Sequence, residues 1–462
     1  MALGTRRVAV LTIIAVAATV VLATQLAAAA RTAGRLQQRT AKAEATRPPE
    51  RLLRADAHRG LIDGHNRVRL FHGVNVVYKL PPFVPQTDAF DARYSLAAED
   101  IKTLQSLGVR AVRLLVSWPG TEPTRGEYDE DYLSRLEGIV NALGEADIVS
   151  LLDMHQDLFS PMTCGNGVPD WAAHAPPLRP LTNDSAYAPL AFPAPVGLDV
   201  PQRNESTGYP THKYCSERFF AEYYLSSETG VAFQALYDDV AGIRQSFVRF
   251  WTKIASRFAG NANVLGYEVI NEPWGGDVYR HPWRLGGRRV DREVLAPLYD
   301  EVSAAIRKVD AEALLFFEPT VVTSSLPFPS IGEAVGFERP PLGSENRSIL
   351  SYHTYCPAGS LGEKAGQAAC DAYFDQVFGT HLPDATRTAQ VPAFLTEWGA
   401  LTSGQGFDAW TAHEVAKRAD ELFLSWTYWQ FKGKCRARAL GFATLRVVPP
   451  TPCLVRRRRA SG

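Results

Sequence analysis

From about residue 60 onward the chain alternates between two apolar patterns, and the alternation predicts its architecture. Short runs with few polar positions occur at 68–76, 109–118, 147–154, 264–270, 313–317, 349–355, 393–396 and 422–429. Such runs predict strands buried on both faces. Between them the spacing changes to three and four, as in Ala98-Glu-Asp-Ile-Lys-Thr-Leu-Gln-Ser-Leu107, where the apolar residues share one helical face and Gly108 supplies the stop. Eight strand-then-helix repeats predict an α/β fold, a (β/α)8 TIM barrel, with its chemistry on the rim where strands end and loops begin.

Three segments break the rhythm. Arg6 and Arg7 precede an apolar stretch running to Ala30, with small residues at Ala27, Ala28 and Ala29, so residues 1–30 are expected to be a signal peptide or an uncleaved signal anchor. Residues 31–58 have no apolar periodicity and are expected to be a flexible spacer, leaving 59–433 for the barrel. Residues 158 to about 230, rich in Pro, Gly and aromatic side chains, interrupt the barrel after its third strand, and a long loop of that kind predicts a wall or lid. A helix is expected from 233 to 258. The Arg-rich residues 434–462 carry no helical stripe and are expected to form an irregular tail.

Composition narrows the function classes. With 49 basic and 49 acidic side chains the formal charge is zero, so a nucleic-acid partner is not expected. The leader, with Asn-X-Ser sequons at Asn183, Asn204 and Asn346, predicts a secreted or lumenal protein, with a signal-anchored membrane form as the competing expectation. Six cysteines without a Cys-x-x-Cys spacing suggest no zinc site, and pairing of near neighbours is expected, Cys164 with Cys215 and Cys356 with Cys370.

The chemistry lies at two strand ends. The run at 264–270 delivers Asn271-Glu272-Pro273-Trp274, and the run at 393–396 delivers Glu397-Trp398-Gly399. Two carboxylates flanking one bond are what glycoside hydrolysis needs, one to protonate the leaving oxygen and one to attack the sugar or to activate water. Arg113 by proximity and Tyr355 by a hydrogen bond are expected to support Glu397 and to lower its pKa. Asp153, His155 and Asp157 alternate, which predicts three side chains on one side as hydroxyl ligands, and Asn271 is placed for a sugar 2-hydroxyl. Asn75, Lys79, Glu318, His353 and Trp429 fall at other strand ends. No cofactor is expected, and a metal at Asp153, His155 and Asp157 is the minority reading.

The motifs Asn271-Glu272-Pro273 and Thr396-Glu397-Trp398-Gly399 together resemble glycoside hydrolase family 5 over roughly residues 60 to 433. Leu152-Asp-Met-His-Gln-Asp-Leu-Phe-Ser160, Cys164-Gly-Asn-Gly-Val-Pro-Asp-Trp171 and Gly266-Tyr-Glu-Val-Ile-Asn-Glu-Pro-Trp274 resemble the endoglycoceramidases within it. The resemblance implies a retaining barrel enzyme that releases an intact glycan from the ceramide of a glycosphingolipid. It implies Glu272 as acid/base, Glu397 as nucleophile, and sugar contacts from Lys79, Asp153, His155, Asp157, Asn271 and Trp429; His353 and Tyr355 are further substrate-binding candidates. The competing expectations are a β-glucosidase or glucanase acting on glucosylceramide, a steryl glucoside or a β-glucan, and a catalytically impaired glycolipid-binding protein. Association with a membrane surface, through the substrate or the N-terminal segment, is a further expectation, with oligomeric state left open. The family's C-terminal β-sandwich is expected to be missing.

Overall fold

The computed structural model describes residues 53–58, 60–173, 204–218, 220–321, 336–356, 363–401 and 404–432. The leader, most of the spacer, Asn183, Cys435, Cys453 and the tail lie outside the described residues. Among the described residues eleven strands are present: β1 (Arg54–Asp56), β2 (Gly60–Ile62), β3 (Val68–Arg69), β4 (His72–Val76), β5 (Ala111–Leu115), β6 (Val149–Asp153), β7 (Val264–Glu268), β8 (Leu314–Phe317), β9 (Ser348–Thr354), β10 (Ala393–Gly399) and β11 (Ser425–Trp429). Strands β4 to β11 pair in parallel and close into a barrel, β11 returning to β4. The expected (β/α)8 architecture is therefore present.

Two boundaries differ from expectation. The first apolar run is two elements, because β3 pairs with β2 in an antiparallel sheet of three strands while β4 begins at His72 in the barrel. The spacer also ends earlier than residue 58. Arg54–Asp56 is a strand because its middle side chain, Ala55, is buried and its backbone N–H donates to the Asn346 carbonyl at 3.0 Å. A polar-apolar-polar triplet has too few positions to register as a pattern.

The small sheet closes one end of the barrel. Ala55 and Leu61 pack with Ala111, Leu151, Leu265, Leu314, Phe316, Ile349 and Phe394, an apolar floor. Because side chains alternate across a strand, the residues two places further on face the same interior one layer higher. Those residues are polar: Arg113 after Ala111, Asp153 after Leu151, Glu318 after Phe316 and Ser351 after Ile349. The other strand face packs outward, where Val112 and Leu114 join Leu133, Leu136 and Val140 of the helix Glu130–Glu145.

The helix expected from 233 to 258 is two helices, Ser227–Tyr237 and Ile243–Phe258. Asp239, Ala241 and Gly242 between them all take positive φ, which no helix continues through. Both expected disulfides are formed, Cys164–Cys215 and Cys356–Cys370. Cys164 opens a tight loop that folds back on the third barrel strand's end. Gly167, at φ +112°, sits where a Cβ would meet Gln156 Cβ at 2.4 Å, so a side chain there would displace the strand end. Part of the aromatic content of residues 158–230 belongs to the core. Phe159, Tyr223 and Tyr224 are buried in the core, Phe159 against Phe233 and Tyr224 stacked on Trp274.

Candidate active site

The polar layer is organised around one cation. Arg113 on β5 is fully buried, and its Nε donates to Glu268 Oε2 at 2.5 Å while Nη1 donates to Glu397 Oε1 at 2.5 Å and to Asn75 Oδ1 at 3.0 Å. Its Nη2 donates to Asn271 Oδ1 at 2.8 Å and lies 3.1 Å from Asp153 Oδ2. A planar guanidinium with five N–H donors can serve such a ring of acceptors; an ammonium cannot. Burial alone would lower the Arg113 pKa, but Asp153, Glu268 and Glu397 outweigh it and raise it well above the ordinary value.

Glu397 reaches this layer through an irregularity. The register of β10 shifts between Leu395 and Glu397 against β9, a bulge at Thr396 that re-aims the next side chain inward. The Thr396 carbonyl accepts hydrogen bonds from Asn75 Nδ2 at 3.0 Å and from the Thr427 hydroxyl. Tyr355 donates its hydroxyl to Glu397 Oε2 at 2.8 Å, so both expected supports are in place. The expected lowering of the pKa is not. Burial is the largest influence and pushes Glu397 above the ordinary carboxylate value, against the pull of His353, Arg113 and Tyr355, and Glu272 adds to the rise.

Glu272 follows β7 with φ +43°, a conformation rare for a residue with a Cβ. Its backbone N–H donates to Glu318 Oε2 at 2.7 Å, and its Oε1 lies 2.9 Å from His353 Nδ1. One oxygen of Glu272 and one of Glu397 lie within 4.8 Å of each other and of His353. His353 Nδ1 is also 3.3 Å from Glu318 Oε1 and 3.7 Å from Glu397 Oε2. Burial works against charge on His353, yet Glu318, Glu397 and Glu272 lift its pKa to about 10.

Among the described residues two donor triplets have ion-binding spacing, Glu268 with Glu318 and His353, and Glu272 with His353 and Glu397. Both depend on His353. An imidazolium donates hydrogen bonds and has no lone pair for a metal, so an ion at either triplet would require His353 to give up its proton.

On the other side of Glu397, His155 lies 2.8 Å by Nδ1 from Asp153 Oδ2 and 3.7 Å by Nε2 from Asp157 Oδ2, so the alternating triad does converge. Burial, with Lys79, Arg113 and His353, holds the His155 pKa well below its usual value. A neutral ring that donates from Nδ1 presents Nε2 as an acceptor, and Nε2 has no hydrogen-bond partner in the protein. Lys79 pairs with Asp157, whose Oδ2 also accepts from Asn166 Nδ2 at 2.8 Å. Trp429 stacks on His155 at 5.2 Å between centroids, with Lys79 Nζ 5.0 Å from its ring centroid. Asn271 has its Oδ1 on Arg113 and one Nδ2 hydrogen on the Gln156 carbonyl at 2.9 Å, which leaves its second hydrogen.

The structure brings every sequence-predicted site residue into one cluster and adds Glu268, Gln156 and Ser351. Gln156 donates to the carbonyls of Asn271 at 2.6 Å and Glu272 at 3.0 Å, tying two strand ends together. Ser351 donates to Glu268 Oε1. A carboxylate inside the otherwise apolar run at 264–270 was the available signal for Glu268, since a buried charge needs a partner.

The profile of the family described as Cellulase (glycosyl hydrolase family 5) matches residues 84–434. The chain belongs to glycosyl hydrolase family 5. Among family 5 relatives, it is 37% identical to an endoglycoceramidase of Hydra vulgaris over 374 residues, covering 80% of this chain and 65% of that one. It is 38% identical to an endoglycoceramidase of Cyanea nozakii over 388 residues, covering 83% of this chain and 70% of that one. Endo-glycoceramidase II from Rhodococcus sp., solved as a ganglioside GM3 complex, shares the fold with a TM-score of 0.61 at 24% identity, over 80% of this chain and 74% of that one. The chain thus spans about two thirds of the length of the Hydra vulgaris and Cyanea nozakii endoglycoceramidases.

Proposed function

We propose that this family 5 chain is a retaining endo-β-glycosidase that cleaves the bond between the glycan and the ceramide of glycosphingolipids, with Glu397 as nucleophile and Glu272 as acid/base. The observation that carries the reading is the approach of the two carboxylates to within 4.8 Å, oxygen to oxygen. Retaining glycosidases hold their carboxyl groups about 5–5.5 Å apart, whereas an inverting pair needs roughly 6.5–9.5 Å to admit water. The substrate class is supported by the endoglycoceramidase relatives.

In this reading Glu397 attacks the anomeric carbon while Glu272 gives its proton to the departing oxygen, and the glycan becomes an ester of Glu397. Glu272, now a carboxylate, takes a proton from water, which cleaves that ester and regenerates both groups. Arg113 and Tyr355 hold the two Glu397 oxygens, fixing which lone pair faces the sugar. His155 Nε2, Asp157, Lys79 and the remaining Asn271 hydrogen are sugar-hydroxyl partners, and Trp429 is a stacking face. A cavity of about 1630 Å3 continues from Lys79 and Trp429 along Leu80, Val84, Tyr94 and Ile139, room for a substrate much larger than one ring.

The test is incubation with a ganglioside and with glucosylceramide in detergent. Free intact oligosaccharide, first released in the β-configuration, with ceramide as co-product is the expected result. Turnover of glucosylceramide alone would sink the endo reading, and initial release of the α-anomer would sink the retaining one.

The raised Glu397 pKa has a kinetic consequence. The nucleophile acts only as an anion, so activity falls as the pH drops through its pKa. Because that pKa is raised, the acid limb of the kcat/KM profile is expected above the ordinary glutamate value of 4.5. An acid limb at or below 4.5 would contradict the assignment.

Placement outside the cytosol follows from the same reading. The two disulfides suit an oxidising compartment, and Asn204 and Asn346 are exposed, as glycosylation acceptors must be. Among the described residues no helix is long and apolar enough to cross a membrane.

A further inference from the structure

We propose that Glu318 is a positioning residue for Glu272, holding the acid/base residue's backbone with one oxygen and competing with its carboxylate for His353 with the other. The proposal rests on the acid/base role given to Glu272 above.

Glu318 follows β8 directly and lies two residues after Phe316 of the floor, which turns its side chain into the barrel. It is fully buried. Its main chain is fixed from behind, since Tyr299 donates its hydroxyl to the Glu318 carbonyl at 2.7 Å. From that anchored position Oε2 accepts the Glu272 N–H at 2.7 Å, where Glu272 takes φ +43°. A left-handed conformation at a non-glycine residue persists only where its surroundings over-determine it. The Glu318 contact is one such constraint, and it acts on the residue that must deliver a proton.

The second oxygen supplies the competition. Glu318 Oε1 lies 3.3 Å from His353 Nδ1, and Glu272 Oε1 lies 2.9 Å from the same nitrogen. A ring nitrogen carries one hydrogen, so it cannot serve both well. Glu318 Oε1 has no hydrogen-bond partner in the protein, which is the signature of an acceptor losing that contest in this state. Burial, with Glu272 and Glu268, raises the Glu318 pKa above the ordinary value, against the pull of His353 and of the Glu272 N–H.

Removing Glu318 frees the Glu272 N–H and commits His353 to the Glu272 carboxylate. Both effects fall on proton delivery: the carboxyl moves, and its anionic form is favoured over the protonated form that must donate. Neither effect touches the attack by Glu397. A misplacement of about 1 Å costs on the order of 10²-fold in rate.

The experiment compares wild type, Glu318→Ala and Glu318→Gln on two substrates: an alkyl β-glycoside, whose leaving oxygen needs a proton, and a dinitrophenyl β-glycoside, whose leaving group departs without one. Glu318→Ala is expected to lose about 10²-fold in kcat/KM on the alkyl substrate and less than about tenfold on the aryl one. Glu318→Gln keeps an acceptor for the Glu272 N–H at the same size, and is expected to restore the alkyl activity to within about tenfold of wild type. Equal losses on both substrates in Glu318→Ala, or a Glu318→Gln as impaired as Glu318→Ala on the alkyl one, would overturn the positioning role. Wild-type turnover of the aryl glycoside checks the glycosidase reading separately, because that step does not need Glu318.

Discussion

Glu397→Gln is expected to lower kcat by about 10⁴-fold or more on every β-glycoside, whether or not the leaving group needs a proton. The substitution keeps size and a hydrogen-bond acceptor for Tyr355, so it removes the nucleophilic charge while changing packing little. Glu272→Gln is expected to behave differently. General acid catalysis contributes about 10²–10⁴-fold, and in kcat/KM, which reports formation of the glycosyl ester, that loss falls only on substrates whose leaving oxygen must be protonated; the missing base slows the second step on every substrate. The measurement is kcat/KM for both variants across aryl glycosides of graded leaving-group acidity, beside the glycolipid. A Glu397→Gln enzyme that retains dinitrophenyl glycoside turnover while losing the glycolipid would exchange the two roles. The contacts favour the assignment as given: Glu397 meets two donors, Arg113 and the Tyr355 hydroxyl, while the Glu272 carboxylate meets His353 at 2.9 Å and is slightly more exposed.

What the sequence made legible follows from the length scale of each signal. Barrel strands register because buried parallel strands are apolar at nearly every position over several residues, and Glu272 and Glu397 register because each ends such a run. Arg54–Asp56 did not register, since its order comes from a contact with Asn346 and not from its own pattern. The break between Tyr237 and Ile243 was hidden because apolar spacing resumes in phase across it, while positive φ at Asp239 and Ala241 leaves no compositional trace. The burial of Tyr223 and Tyr224 was hidden for a related reason: composition counts aromatic side chains but cannot say which face they turn. Glu268, Gln156 and Glu318 went without roles because their functions exist only across strands. Each is an ordinary polar residue until the barrel closes and sets Arg113, the Glu272 backbone and His353 beside it. The sign of the Glu397 shift was missed because proximity to Arg113 can be read from spacing, while the burial that outweighs it cannot.

Arg113→Met is expected to destabilise the fold by about 3–5 kcal/mol at neutral pH, the scale for removing one partner from a buried ionic cluster. Methionine fills similar space, so the loss is electrostatic and not a cavity. In the wild type Arg113 is the guanidinium among Asp153, Glu268 and Glu397, and it also bonds Asn75 and Asn271. Asp153 and Glu397 are pushed upward by burial even with Arg113 present, Asp153 well above its ordinary value. Without the guanidinium, that push is unopposed by their nearest cation. A carboxylate whose folded pKa is raised above its unfolded value costs stability in full above the folded pKa and costs nothing below the unfolded one. The gap between wild type and Arg113→Met is therefore expected to be widest at neutral pH and to narrow as the pH falls and these groups bind protons. Arg113→Lys, which restores charge but not the planar fork, is expected to recover part of the neutral-pH loss. Denaturant midpoints for the three proteins at neutral and acidic pH make the comparison, and a gap independent of pH would show that Arg113 acts by packing instead of charge.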